Sequence, residues 1–297
     1  MKVLKVACVI LNYNDYKTTI QLIDSISAFQ SIDFIIIVDN NSTDNSVDML
    51  SEYIGEKIYL VKTNKNGGYG YGNNIGVLYA KNKLGCTHVI ISNPDVIFSD
   101  KCVQKMKEVM RNYACACAAP VPFSIAFKEQ IFKAWKLPTA LQELLLSSTV
   151  FSILFSNLIF YGEKDFRQDI SVVDVVAGSL LILNIDDFIE AGMYDDELFL
   201  YMEETVLGLR LKNKGYKTLL INSENYIHLH SVSINKSFPN AIQKKQMSLV
   251  SKKKLLIKYH RMNNAKLFIA SIFLMITLVE EIFIQVIKKL FNLKSII

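Results

Sequence analysis

Residues 34–44 read FIIIVDNNSTD, five apolar residues followed without a break by six polar ones. The same kind of change occurs at residues 6–15, VACVILNYND, and at residues 88–95, HVIISNPD. Short apolar runs that are rich in Val and Ile predict strands buried on both faces. The stretches between them have helical periodicity, so the pattern predicts an α/β fold with a mainly parallel sheet covered by helices on both sides.

The first 121 residues predict strands and helices in alternation. The predicted strands are Val6–Leu11, Phe34–Val38, Ile58–Val61, His88–Ile91 and Ala114–Val121. The predicted helices are Thr18–Ala28, Ser46–Tyr53, Asn73–Asn82 and Lys101–Asn112, the last capped by Ser99. Farther along, we expect a strand at Val172–Leu183, helices near Asp186–Ala191 and at Glu203–Lys214, and a strand at Thr218–Ile221.

Each of the early strands is followed by polar residues. Asn12 follows the first strand, Asp39 and Asn41 follow the second, and Asn93 and Asp95 follow the fourth. Ligands of mainly parallel sheets bind beyond the carboxyl ends of the strands. We therefore expect these side chains to line one rim of the sheet.

A glycine-rich stretch, NGGYGYGNNIG at residues 66–76, follows the third strand. Its spacing matches neither GxGxxG nor a P-loop, which argues against a dehydrogenase or a P-loop nucleotidase. The stretch is compatible with a loop that opens a helix and lets free backbone N–H groups approach a nucleotide or diphosphate. A glycine-rich turn without a ligand is the alternative.

Two aspartates and two histidines suggest binding chemistry. The carboxylate of Asp39 could accept the N3–H of uracil or thymine, although capping of the next helix is the commoner use of such a residue. Asp95 beside a diphosphate would suit Mg²⁺ or Mn²⁺, which bind through few protein ligands plus phosphate oxygens. His228 and His230 alternate along an extended stretch, so only one of them is expected to reach that metal.

Glu203 and Glu204 begin a predicted helix, where the helix dipole favours ionised carboxylates. An ionised carboxylate can serve as a general base, whereas an ordinary acidic first turn is the alternative. Adjacent helical positions diverge by about 100°. We therefore expect one of the two to face a reacting group and the other to point outward or toward Arg210.

The charge is distributed unevenly along the chain. Residues 236–297 hold 12 basic and 2 acidic residues, whereas residues 1–235 hold 21 and 26. The apolar run Leu267–Val279 has 13 residues before Glu280-Glu281. A membrane span needs about 20, so the sequence predicts an interfacial helix beside a polybasic stretch. Binding of nucleic acid by the same charges is the weaker alternative, because the apolar run favours lipid.

Eight segments then appear in an order typical of a known family: VILNYN, VDNNSTD, NGGYGYGNNIG, SNPDV, VAGSLLIL, GMYDDELFLYMEE, LRLKNKGY and HLHS. Together they resemble the family 2 inverting glycosyltransferases of GT-A fold, particularly the rhamnosyltransferase-like branch that builds bacterial surface polysaccharides. The resemblance implies a Rossmann-like, mostly parallel sheet flanked by helices. It assigns residues 1–235 to a GT-A catalytic domain and leaves residues 236–297 as a basic and apolar helical tail that associates with a membrane surface.

The resemblance also implies a role for each polar segment. The nucleotide sugar would be bound by Asn12, Asp39, Asn41, Gly67, Gly68, Asn73, Asn93 and Asp95. Asp95 would be the last acid of a DxD metal motif, here Asn93-Pro94-Asp95, and Mg²⁺ or Mn²⁺ would be bound by Asp95 together with one of the two histidines, His228 or His230. The acceptor side would hold Gly178, Asp195 and Arg210. Glu204 would be the catalytic base beside Glu203, in a sequence where Val206 stands at a position often acidic in relatives.

The activity implied is transfer of rhamnose or another hexose, with inversion, from a dTDP- or UDP-sugar to a glycan or lipid-linked acceptor. The setting would be O-antigen, capsule or cell-wall synthesis at the cytoplasmic face of the bacterial inner membrane. The enzyme would bind an anionic membrane surface peripherally and no nucleic acid, and self-association into a homo-oligomer stays open. In this scheme the apolar stretch Leu144–Phe160 is a buried helix, an acceptor-side insertion or a membrane-contacting segment. The alternative function is a catalytically weak GT-A-like protein that binds nucleotide sugar or organises partner enzymes.

Overall fold

The computed structural model describes residues 4–124, 129–130, 133–155, 158–229 and 240–291. Its strands, numbered in chain order, are β1 Val6–Asn12, β2 Phe34–Asp39, β3 Ile58–Lys62, β4 His88–Ser92, β5 Val96–Ile97, β6 Cys117–Ser124, β7 Glu129–Gln130, β8 Ala134–Trp135, β9 Ile170–Val173, β10 Val175–Val176, β11 Leu180–Asn184 and β12 Thr218–His228.

The helices alternate with the strands in the first half of the chain, and two helices form the carboxyl-terminal part of the described structure. They are α1 Tyr16–Ile26, α2 Ser46–Ser51, α3 Tyr69–Asn82, α4 Asp100–Asn112, α5 Ala140–Leu145, α6 Thr149–Phe155, α7 Ile185–Glu190, α8 Glu203–Asn213, α9 Ala241–Lys258 and α10 Asn264–Leu290. Ser99 caps α4 as predicted, since its hydroxyl accepts the Cys102 N–H at 3.2 Å.

The central sheet has the strand order β3-β2-β1-β4-β11-β6-β12-β5, with β7 and β9 paired at its side. The first four strands are parallel, β11 is antiparallel to both β4 and β6, and β12 is parallel to β6. The sheet is therefore mixed rather than uniformly parallel. Because β11 runs backward, its amino end meets the carboxyl ends of β1, β2 and β4, and the end of β12 comes to the same edge.

Helices cover both faces of the sheet, in agreement with the predicted α/β fold. Alternate residues of β1 point to opposite sides. Cys8 and Ile10 pack with α1 and α4, whereas Ala7 and Val9 pack with α3, α7 and α8. Two apolar layers thus enclose a sheet whose strands are apolar on both faces, as the sequence indicates.

Two predicted elements differ from the structure. The strand expected at Val172–Leu183 is divided into β9, β10 and β11, with Asp174 and the Ala177–Ser179 segment between them. The helix expected from Asn73 begins at Tyr69, so much of the glycine-rich stretch is helical. A Cβ at Gly76 would lie 2.5 Å from Val9 Cγ1, which shows that this glycine allows α3 to pack closely on β1.

The C-terminal helices pack on the rest of the protein. Leu255 of α9 joins a buried cluster with Leu198 and Val206 of the body. Leu256 packs against Leu274 of α10 in a second cluster. The residues around the proposed boundary at 235 lie outside the described ranges, so the division into two domains stays a prediction.

Helix α10 corrects the prediction that the apolar run is too short to span a membrane. The helix continues for 27 residues, through Glu280-Glu281 to Leu290. By length and composition alone it could cross a bilayer, and little of its apolar stretch is buried in the protein. The two glutamates do not end the helix, because Glu280 accepts hydrogen bonds from residues 148 and 150 and Glu281 accepts one from Gln285.

Candidate active site

The carboxyl ends of β1 and β2 bring Asn12 and Asp39 together, as expected. The Asn12 side-chain amide donates to Asp39 Oδ1 at 2.9 Å, and Ser42 donates to both carboxylate oxygens, through its backbone N–H at 2.9 Å and its hydroxyl at 2.6 Å. Asp39 is almost fully buried. The carboxylate is therefore held rigidly at the sheet edge and orders the loop after β2.

The asparagines beside this pair take different positions. Asn41 is exposed and has a positive φ of 61°. Asn40, which sequence reasoning did not select, is buried and donates to Asn66 Oδ1 at 3.0 Å and to the Gly68 carbonyl at 3.1 Å. The loop that carries Gly67 and Gly68 is thus tied to the end of β2. This residue lies within the polar DNN triplet, but its side-chain direction is not readable from the sequence.

The glycine-rich stretch offers less free backbone than predicted. The Tyr69 N–H at the start of α3 donates to the Phe199 carbonyl at 2.9 Å. Gly68 has a φ of 91°, and a Cβ there would lie 2.1 Å from the Phe199 carbonyl oxygen. Asn73 is fully buried in α3, and its Oδ1 has no hydrogen-bond partner among the described residues. These glycines hold the loop against the 194–199 segment.

A cavity of about 440 Å³ lies beside this edge and is lined by five of the residues selected from the sequence: Asn93, Gly178, Glu203, Glu204 and His228. Asn93 reaches it because its backbone N–H donates to the Ser179 carbonyl at 2.9 Å, where β4 meets β11. The antiparallel insertion of β11 thus places Gly178 opposite the start of α8. Asn93, Gly178 and Glu203, which are separated by 85 and 25 positions in the sequence, thus line one cavity.

The two glutamates lie in the wall of this cavity at the first turn of α8. A Cβ at Gly178 would be 3.0 Å from Glu204 Oε1, so glycine allows the carboxylate to approach this backbone closely. The Gly178 backbone lowers the pKa of the Glu204 carboxyl, against the larger effect of burial, which raises it. Glu203 Oε1 is buried and has no hydrogen-bond partner within the described part of the chain. A polar ligand in the cavity could supply that partner.

Both glutamates depart from the expectations set by helix geometry. Burial raises the pKa of both carboxyls, and repulsion from Glu204 raises the pKa of Glu203 further. Desolvation therefore outweighs the helix dipole, which was expected to keep both ionised. Both also line the cavity, because its wall runs through residues 200–205 and curves around the first helical turn. Neither contacts Arg210.

The backbone that leads into this turn is strained. Tyr201 and Met202 have φ values of 71° and 72°, and neither is glycine. Consecutive left-handed residues cost roughly 1–3 kcal/mol each and persist where surrounding structure holds them. The strain lies immediately before Glu203 and directs the helix start toward the cavity.

Asp95 and His228 form the candidate metal pair. Asp95 Oδ1 lies 3.3 Å from His228 Nε2, and Asp95 is 3% exposed. His230 lies outside the described residues. Among the described residues no group of three or more His, Cys, Asp and Glu side chains converges as a metal site. A carboxylate and an imidazole nevertheless fit a divalent ion whose remaining ligands are phosphate oxygens.

Asp195 and Arg210 do not line the cavity. Asp195 accepts from the Tyr259 hydroxyl at 2.6 Å and pairs with Lys258 at 3.0 Å, both contributed by the region around the end of α9. Hydrogen bonds from these groups lower the pKa of Asp195, against the effect of burial. Arg210 donates to the Met193 carbonyl at 2.7 Å. In the structure this pair joins the 192–197 segment to α8 and α9.

Several cavity residues were not selected from the sequence. Glu143 of α5 and Lys252 of α9 form a buried ion pair of 3.0 Å in the wall. Tyr69 donates to the Gly178 carbonyl at 2.8 Å, and the Trp135 indole N–H donates to Thr205 at 3.4 Å. Of these residues, Trp135 could have been noticed in the sequence, because it is the single tryptophan of the chain. The ion pair joins residues 109 positions apart, which no local pattern indicates.

The sequence matches Glycosyl transferase family 2 over residues 7–178. It is 26% identical to the rhamnosyltransferase WbbL of Escherichia coli K12 over 182 residues, 58% of this chain and 64% of that protein. It is 24% identical to the dTDP-rhamnosyl transferase RfbF of Shigella flexneri over 196 residues, 66% of this chain and 59% of that protein. The chain thus spans about three fifths of the length of these relatives.

Solved structures share the fold at low sequence identity. The mannosyltransferase PcManGT of Pyrobaculum calidifontis, in complex with GDP-Man and Mn²⁺, covers 98% of this chain and 76% of its own, with a TM-score of 0.59 and 11% identity. GalNAc-T7 with UDP, GalNAc and Mn²⁺ covers 76% and 44%, with a TM-score of 0.59 and 16% identity. The GT-A fold predicted from the resemblance is confirmed. The family match covers more than half of the chain, and this protein belongs to glycosyl transferase family 2.

Proposed function

We propose that this protein is an inverting glycosyltransferase that moves a hexose from a nucleoside diphosphate sugar to a hydroxyl of a glycan or lipid-linked acceptor. The observation that carries the proposal is the cavity in which Glu203 and Glu204 face Gly178 and Asn93 beside the Asn12–Asp39 edge. A nucleotide at that edge would present its diphosphate and sugar toward the cavity.

Glu204 is the proposed base. In one displacement its carboxylate takes the proton of the acceptor hydroxyl while that oxygen bonds to the anomeric carbon. The bond between the anomeric carbon and the diphosphate oxygen breaks, and the electron pair leaves with the nucleoside diphosphate. The configuration at the anomeric carbon is inverted once. Glu203 Oε1, which has no hydrogen-bond partner among the described residues, would accept a hydrogen bond from a hydroxyl of donor or acceptor.

Asp95 and His228 are the residues that would hold a divalent ion. When bound there, such an ion neutralises charge on the departing diphosphate. Their carboxylate and imidazole lie 3.3 Å apart at the cavity edge, next to the hydrogen bond from the Asn93 N–H to the Ser179 carbonyl. Mn²⁺ and Mg²⁺ are the candidate ions.

The names of two relatives support rhamnose as the first sugar to test, and one of them supports dTDP as its carrier. Solved structures of this fold hold UDP and GDP-mannose, so UDP-sugars belong in the same screen. We also propose that the enzyme works peripherally at the cytoplasmic face of a bacterial membrane, where a lipid-linked acceptor would be presented. The apolar α10 supports a membrane location.

The substitution Glu204→Gln tests the base. We expect it to lower kcat by at least about a hundredfold, since a general base contributes roughly 10²–10⁴ to the rate. Donor affinity, measured as the thermal shift with nucleotide sugar and Mn²⁺, should stay within about twofold.

Glu203→Gln is the matched control for this experiment, because it removes the adjacent carboxylate of the same turn. A larger loss of kcat in Glu203→Gln than in Glu204→Gln would transfer the role of base to Glu203. A wild-type protein that is stabilised by nucleotide sugar but releases no nucleoside diphosphate with any acceptor or with water would instead be a binding protein.

A further inference from the structure

The surface of α10 that faces away from the body is apolar from end to end. Plotted at about 100° per residue, its exposed apolar residues fall within an arc of about 140°: Phe268, Ile269, Ile272, Met275, Ile276, Val279, Ile282, Phe283, Val286 and Leu290. The buried positions Ala270, Leu274 and Thr277 lie on the opposite side. From Phe268 to Leu290 every charged residue of the helix lies outside that arc.

Helix α6 extends this apolar surface. Its exposed residues Val150, Ile153 and Leu154 are 55–66% accessible. The rings of Phe151 and Phe273 are 6.3 Å apart, which places α6 alongside α10. Few soluble proteins leave so many large apolar side chains together in water.

Glu280 joins the two helices. Its Oε1 accepts the Val150 N–H at 2.9 Å and the Ser148 hydroxyl at 3.1 Å, at the point where α6 begins. The carboxylate thereby stabilises the first turn of α6, and these hydrogen bonds take the place of hydrogen bonds to water. Glu280 interrupts the apolar run in the sequence, but in the structure its carboxylate binds the start of α6.

We propose that α6 and α10 form one membrane-embedded surface that lies in the plane of the bilayer interface, with Glu280 holding α6 in position. Lys266 lies near the start of α10, and Lys288 and Lys289 lie near its end, about 30 Å farther along at 1.5 Å per residue. Cations at both ends suit the anionic headgroups of one leaflet. Buried residues in the first half of α10, among them Ala270 and Leu274, hold it against α5 and α9.

Several lysines of the stretch that was predicted to bind the membrane surface make contacts within the protein instead. Lys252 pairs with Glu143, and Lys258 pairs with Asp195 and Glu197. Lys245 and Lys254 donate to the Ser147 and Glu197 carbonyls. The apolar surface, rather than the lysine count, therefore supplies most of the proposed membrane affinity.

The inference rests on the proposed function only for its biological setting, and the test is independent of catalysis. Single cysteines replace Leu154, Ile276 or, as a matched control, Val172, which is 64% exposed on β9. The native cysteines are all buried, so an environment-sensitive NBD label goes to the new site. The full chain is mixed with vesicles of phosphatidylcholine and phosphatidylglycerol that carry a doxyl quencher at a shallow or a deep acyl position.

We expect labels at 154 and 276 to shift to the blue and lose most of their fluorescence to the shallow quencher, while the label at 172 changes little. In the Glu280→Ala background the doxyl lipids should no longer quench the label at 154, whereas they should still quench the label at 276. Stronger quenching at 276 by the deep probe would show a membrane-crossing α10 and overturn the proposal.

Other results also overturn it. An unquenched label at 154 removes α6 from the surface, and unquenched labels at both sites remove lipid as the occupant. A blue shift without vesicles that disappears on dilution identifies a second copy of the chain as the occupant. Release of nucleoside diphosphate, measured on the same samples, tests the proposed function separately.

Discussion

At the scale of single residues, Glu203 and Glu204 show that surroundings decide what a carboxylate does. Their position at a helix start predicts ionised groups, yet burial raises the pKa of both. Gly178 lets Glu204 approach the β11 turn, and the left-handed backbone at Tyr201 and Met202 directs the helix start into the cavity. The chemistry of the pair therefore depends on contacts from three segments of the chain.

Asp95→Asn tests the proposed metal pair at the same scale. We expect the neutral side chain to weaken Mn²⁺-dependent stabilisation by nucleotide sugar at least about tenfold in apparent Kd, because a carboxylate ligand is lost. Removal of metal from the wild-type protein with EDTA should abolish this metal-dependent stabilisation.

The control for this substitution is Asp196→Asn, a change of the same charge at an exposed aspartate. The measurement is a thermal-shift titration of metal at fixed nucleotide sugar. Equal metal affinity in Asp95→Asn and the wild type would remove Asp95 from the site.

At the scale of elements, the decisive feature is the antiparallel strand β11 between β4 and β6. The periodicity of the sequence indicates strands but not their direction, because an apolar run looks the same in either orientation. Register fixes the result: Leu180 pairs with Ser92, so the residues before β11 meet the residues after β4. Gly178 and Asn93 thus reach the same cavity.

His88, the first residue of β4, predicts a pH dependence of stability. Burial lowers its pKa from 6.5 to about 4, with repulsion from Lys107 acting in the same direction. Protonation therefore favours the unfolded chain. The stabilisation is fully present above pH 6.5 and is lost as the pH falls toward 4, by roughly 3 kcal/mol.

The test is urea unfolding of the wild type and of His88→Gln between pH 4 and pH 7.5. The glutamine variant should show a flatter decline of the free energy of unfolding below pH 6.5. Parallel curves for the two proteins would show that His88 does not contribute to the acid sensitivity.

At the scale of the whole molecule, the C-terminal segment is tied to the body by buried charges. Lys252 and Glu143 have side chains that are 7% and 4% exposed and lie 3.0 Å apart. Asp195 accepts from Tyr259 and pairs with Lys258 in a second such contact. These contacts make α9 part of the cavity wall as well as the element that carries α10.

Lys252→Ala should lower the free energy of unfolding by roughly 3–5 kcal/mol, because it leaves the Glu143 charge buried and unpaired. The adjacent Lys253→Ala, at an exposed position, should change it by less than about 0.5 kcal/mol. The measurement is urea unfolding followed by circular dichroism in a mild detergent.

The double variant Glu143→Leu with Lys252→Met separates charge from packing. It should recover most of the lost stability, since two apolar side chains of similar volume replace the pair. If Lys252→Ala costs no more than Lys253→Ala, the segment from residue 236 onward is an appendage, as the sequence suggested.

The α/β class, most of the strand and helix positions, the polar strand ends and the family can all be predicted from the sequence. These depend on local periodicity and on short motifs such as VDNNSTD, which are present in the order of the residues. It also selected Glu203, Glu204, Gly178, Asn93 and His228, all of which the fold brings to one cavity.

Features that depend on contacts between distant residues become visible only in the folded protein. The direction of β11, the burial that raises the pKa of the glutamates and the Glu143–Lys252 pair are of this kind. So is the continuation of α10 through Glu280, whose carboxylate is hydrogen-bonded by a segment 130 residues away. A charged residue in a sequence predicts a solvent-exposed position. It can instead be buried when the folded chain places a hydrogen-bonding or oppositely charged partner beside it.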